Sequence, residues 1–165
     1  MFEFGLGLTS LLTPVLYVSA LVAIILTLTY RLEIGAYFLA FFFPLQNVLD
    51  YVNDFPFGSD INDLLLLAMV VKWMIRKREP DEPYFEPASL YLPMALLFFW
   101  TLMALFRGSE YLGYGMPTSL GNPLLVAWKN YWMPALFFLI VINNLKSPRQ
   151  LQLLFLMTTL AMLML

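Results

Sequence analysis

The sequence predicts an all-α protein, a polytopic transmembrane helix bundle of about six spans. Three observations predict it. Of 165 residues, 61% are hydrophobic and only 12% are charged, and the mean hydropathy is +0.78; an ordinary soluble domain carries about 25% charged residues. A core of this size cannot hide such an excess, because a small domain leaves much of its surface in contact with solvent. The apolar residues also come in long blocks separated by short polar intervals, and the cations gather in alternate intervals. Residues 1–165 therefore read as a single membrane-embedded helical bundle.

The first block, Phe4 to Tyr30, contains no charged residue and exceeds the roughly 20 residues a span requires. Pro14 inside it predicts either one kinked helix or a short interfacial piece followed by the span. A re-entrant hairpin there would move the N-terminus to the other side. The second block, Ile34 to Leu49, is short, and Pro44 after Phe41-Phe42-Phe43 is expected to bend it. The breakers Asp50, Asp54, Pro56 and Gly58 follow.

The third helix starts at Ser59 or Asp60 as a cap, with Asp63 in its first turn, and runs from Leu64 to Ile75. Residues 76–87 form a polar loop that opens with Arg76, Lys77 and Arg78. These three are read as topology signal and headgroup anchors. A fourth span covers Ala88 to Phe106, closed by Arg107-Gly108, and residues 107–122 form a loop on the opposite side. Asn122-Pro123 reads as a cap followed by proline at the first helical position, and helix five extends to Ile142, broken by Asn143-Asn144. Ser147-Pro148-Arg149-Gln150 has the spacing of a capping box and opens helix six. That helix is still apolar at Leu165, which reads as a truncated span.

Seven of the nine cations (Arg31, Lys72, Arg76, Lys77, Arg78, Lys146 and Arg149) fall in the first, third and fifth connections. The positive-inside rule makes those connections cytoplasmic and the 107–122 loop extracytoplasmic. Arg107 and Lys129 are the two exceptions.

The sequence contains neither cysteine nor histidine. Disulfides, thiolate chemistry, Ser-His-Asp sets and the commonest haem ligand are thereby excluded; no cofactor is implied, and no basic patch interleaved with aromatics points to nucleic acid. The acidic set Asp50, Asp54, Asp60 and Asp63 matches no calcium-loop spacing and reads as capping. Lys129 lies about 10 Å into helix five. A charge at that depth is a functional candidate by default, yet its stem can also snorkel to the interface beside Trp128 and Trp132. In the functional version Lys129, the free N–H groups opening helix five and Arg107 favour a phosphate or pyrophosphate headgroup.

Three passages carry a resemblance. They are Tyr37-Phe38-Leu39-Ala40-Phe41-Phe42-Phe43-Pro44, the run from Ser59-Asp60-Ile61-Asn62-Asp63 to Lys72-Trp73-Met74-Ile75-Arg76, and the run from Ala127-Trp128-Lys129-Asn130-Tyr131 to Asn143-Asn144-Leu145-Lys146-Ser147-Pro148-Arg149-Gln150-Leu151. From Arg31 onward their order resembles the N-terminal part of the O-antigen ligase and polysaccharide polymerase family. The resemblance rests on hydropathy with few fixed residues. It implies a longer, multi-span glycosyltransferase of the bacterial inner membrane that uses undecaprenyl-pyrophosphate-linked glycan, with its main catalytic residues in an outer loop beyond this sequence. Lys129 would match the family's early basic residue; Arg107 matches no family position. Two other readings stand beside it: a small non-catalytic subunit packed among other membrane subunits, and a transporter fragment, suggested by the interrupted helices.

Overall fold

The computed structural model describes residues 9–45, 56, 61–78, 83–119 and 122–163. Among these residues lie six α-helices and no strand: α1 (Thr9–Thr29), α2 (Leu32–Phe42), α3 (Ile61–Ile75), α4 (Tyr91–Tyr111), α5 (Pro123–Asn144) and α6 (Pro148–Leu163). The all-α class is as expected. Two of the helices, α4 and α5, are long and apolar enough to cross a membrane, and the apolar stretches Pro14–Thr29 and Leu32–Leu45 are shorter. Ser59, Asp60, Asp50, Asp54 and the Glu79–Glu82 part of the polar connector lie outside the described residues.

Several boundaries differ from the sequence expectation, each for a local reason. The first helix is continuous from Thr9 with Pro14 inside it, so within Thr9–Thr29 there is neither a re-entrant turn nor a separate interfacial piece. The second is only 11 residues long. Pro44 does not bend a longer helix: α2 stops at Phe42, and a 3-10 turn, Phe43–Leu45, carries the proline, which has no N–H with which to continue the α-helical ladder. The fourth runs through Arg107 and Gly108 to Tyr111, so the following loop begins at Leu112 rather than at 107. Gly108 costs this helix only about 1 kcal/mol. The stop is Gly113, whose φ of +73° suits glycine. Its N–H donates to the Glu110 carbonyl (3.1 Å) and that of Tyr114 to the Ser109 carbonyl (3.0 Å), the paired bonds of a Schellman ending. Helix α5 includes Asn143 and Asn144 instead of breaking before them, because Asn144 Nδ2 donates back to the Ile140 carbonyl at 2.8 Å.

The chain divides into two compact units. The larger comprises Met1–Glu82 and Ile140–Leu165, and the smaller Pro83–Leu139.

In the larger unit α2 is the hub, packed on α1, α3 and α6. Its Leu32, Gly35, Ala36, Leu39, Ala40 and Phe42 are buried. Successive layers follow its length. Leu16 and Ala20 of α1, Phe42 and Ile61 form an apolar cluster at one end. Further along, Gly35 admits α1 and α3 at close range: a Cβ there would stand 2.7 Å from Thr27 Oγ1 and 2.8 Å from Met69 Cγ. Only glycine, with no Cβ, permits that approach. The buried Thr27 hydroxyl is satisfied within its own helix by the Ala23 carbonyl, 2.6 Å away.

Candidate functional site

The opposite end of the larger unit carries its polar chemistry. Here the C-terminal ends of α1, α3 and α5 meet the N-terminal ends of α2 and α6, and three side-chain bonds tie them. Lys72 Nζ, in the last turn of α3, donates to the Leu28 carbonyl of α1 at 2.9 Å. That carbonyl is among the last four of its helix, which have no partner inside it, and a cation there also complements the helix dipole. Arg76 Nη1 donates to Asn144 Oδ1 at 3.3 Å, joining α5 to the end of α3. Gln150 Nε2 donates to Glu33 Oε1 at 2.8 Å, joining α6 to the first turn of α2. The Ser147 N–H in turn donates to Gln150 Oε1 at 2.9 Å, which is the return bond of the expected capping box.

Between these ties lies a groove of about 410 Å³ lined by Tyr30, Arg31, Glu33, Lys72, Arg76 and Lys77, among others. Arg31 and Lys77 are exposed, and the Arg31 guanidinium stands 5.4 Å from the Tyr30 ring centre. Arg78, which does not line the groove, lies over Trp73, 5.9 Å from its ring centre, and donates to the Trp73 carbonyl at 3.2 Å. Arg31, Lys72, Arg76 and Lys77, which the sequence distributes over two connections, therefore line one surface. What that surface can do chemically is attract anions, because Arg31, Lys72, Arg76 and Lys77 line it against the single carboxylate of Glu33.

Lys129 and Arg107 belong to the smaller unit, and both are exposed. Lys129 lies beside an aromatic clasp that the sequence reading missed. Trp128 Nε1 and Trp132 Nε1 both donate to Thr101 Oγ1, at 3.2 and 2.9 Å. Phe98 sits against both indoles, 5.2 and 5.1 Å between ring centres. A signal was available: tryptophans at i and i+4 share a helix face, and buried indole N–H groups need an acceptor. Arg107 follows Thr101 by six residues, about 9 Å further along α4. The N-terminus of α5 is capped as expected, because Asn122 Oδ1 accepts from the N–H groups of Leu124 (2.9 Å) and Leu125 (3.4 Å). Those two donors, expected to help hold an anion near Lys129, are thus already committed.

Among the described residues, no group of three or more His, Cys, Asp or Glu side chains could hold a metal ion. No protein-family model matches the chain, and no curated protein or solved structure shows significant similarity to it.

Proposed function

We propose that this chain is a multi-pass integral membrane module of about six spans, with the basic groove facing the cytoplasm of a bacterial inner membrane. One observation carries the reading. Only 11% of the apolar window of α4 and 22% of that of α5 lies inside the protein, and α4 exposes Leu92, Leu96, Phe99 and Trp100. Faces of that size need lipid or a partner helix. The convergence of the α1, α3 and α5 ends at the cations supports the sidedness, because alternate connections of a six-span chain share one side.

The absence of native cysteine allows a direct test. Single cysteines at Lys77, Tyr114 and Lys146 are probed with a membrane-impermeant maleimide in intact cells and in inverted vesicles. Tyr114 labels from outside, and Lys77 and Lys146 only in inverted vesicles. Labelling of all three from one side defeats the six-span reading.

Within this module, the fuller reading is the N-terminal portion of a glycosyltransferase of the O-antigen ligase and polysaccharide polymerase kind. It contributes lipid-pyrophosphate binding through Lys129, with Arg107 a second candidate. Its support is the order of elements from Arg31 onward, together with the capped starts at Asn122 and Ser147 within or beside the passages that carry the resemblance. Lys129→Ala weakens binding of an undecaprenyl-pyrophosphate probe while membrane insertion is unchanged. Equal affinity in the variant assigns Lys129 to snorkelling. It would then favour the competing reading of a non-catalytic subunit, which the lack of His and Cys motivates.

A further inference from the structure

An apolar groove of about 600 Å³ lies between α1 and α2, lined by residues that include Val15, Val18, Val22, Leu26, Ile34 and Phe38. On α1 these positions recur at three- and four-residue steps, the spacing of one helix face, and the next step from Leu26 is Tyr30. The Tyr30 N–H donates to the Leu26 carbonyl at 2.8 Å, so the helical turn continues to that point. On α2, Ile34 and Phe38 follow Arg31 by three and seven residues, again one face. Both walls of the apolar groove therefore lead to Tyr30 and Arg31, which line the basic groove.

The dimensions fit one molecule. From Val15 to Leu26 is eleven residues, about 17 Å along the helix, and one leaflet of a hydrocarbon core about 30 Å thick is about 15 Å deep. We propose that this groove seats an acyl chain of an anionic phospholipid whose phosphate is met by Arg31 and Lys77. The inference rests on the membrane reading above. The cations at one end select a lipid over a partner helix as occupant, since they complement a phosphodiester and an apolar helix offers nothing to match them. Lys72 and Arg76 line the same surface while tied to Leu28 and Asn144, so the headgroup site is held in place by the bonds that join the helices.

The test uses the full chain reconstituted in vesicles of equal parts phosphatidylcholine and phosphatidylglycerol. The protein is re-extracted, washed in detergent, and its retained lipid quantified by mass spectrometry. The wild type retains phosphatidylglycerol in preference. Arg31→Gln with Lys77→Gln, at two exposed positions outside the helix-joining bonds, lowers that preference on the order of ten-fold, and Val22→Phe, which fills the groove, lowers retention of both lipids. Retention of the two lipids alike by the wild type, or an undiminished preference in the double variant, overturns the site. So does release of the lipid by inorganic phosphate, which would make the groove a free-phosphate site. A Val22→Phe variant that keeps its lipid but loses a dimer detected by cross-linking overturns it in favour of a second copy of the chain. Release of the wild type from membranes by alkaline carbonate refutes the membrane reading itself, a result separate from all of these.

Discussion

The two units are equally greasy in sequence yet solve the problem of apolar surface in opposite ways. The larger spends its apolar residues inward: α2 is buried along much of its length and is covered by three neighbours. The smaller turns them outward, and on α4 only Leu105 and Ser109 are buried. Length explains part of the contrast. Helix α2 rises only about 16 Å, and its buried face is covered by α1, α3 and α6. The 21 residues of α4 reach about 31 Å and can end in water. Polar bonds follow the same division: three of them tie helix ends in the larger unit, while in the smaller the threonine hydroxyl of the clasp bridges two tryptophans.

Three substitutions probe that contrast. The largest effect is expected at the α1–α2–α3 crossing, where Gly35→Leu forces a side chain into the space of Thr27 and Met69. It costs the larger unit about 3 kcal/mol, read as a lowered thermal transition in detergent, and leaves the near-ultraviolet circular dichroism of Trp128 and Trp132 intact. Simultaneous loss of both signals would show that the units unfold as one. Next is Thr101→Val, which leaves two indole N–H groups without their acceptor. It costs the smaller unit about 2 kcal/mol and shifts tryptophan emission, with the larger unit's transition unchanged. The smallest is Gln150→Leu, which breaks the bonds to Glu33 and to the Ser147 N–H. It costs about 1 kcal/mol and appears as faster amide exchange in the first turn of α6 alone.

Much of this fold was legible where a local signal decides it. Asn122-Pro123 and Ser147-Pro148-Gln150 mark helix starts because the cap chemistry lies within four residues. Gly108 misled as a stop because a glycine ends a helix only when the chain adopts positive φ, and that happens at Gly113. The hub role of α2 was not legible: an apolar run states that residues avoid water, not which neighbours cover them. The sequence groups most of the cations in alternate connections, but does not bring them to one groove. Assembling Arg31 with Lys72, Arg76 and Lys77 requires the crossing at Gly35, which no spacing rule reveals. Thr101 was passed over because its partners lie 27 and 31 residues away.

The larger unit is built from two separated stretches of chain, and this sets a timetable during synthesis. Helix α2 packs on α6, and α6 begins at Pro148, 66 residues after Glu82. At about 5–20 residues per second, that contact waits roughly 3–13 s. Over the same interval the smaller unit is completed. A nascent chain thus completes its smaller unit while the hub of the larger one still lacks its contact with α6.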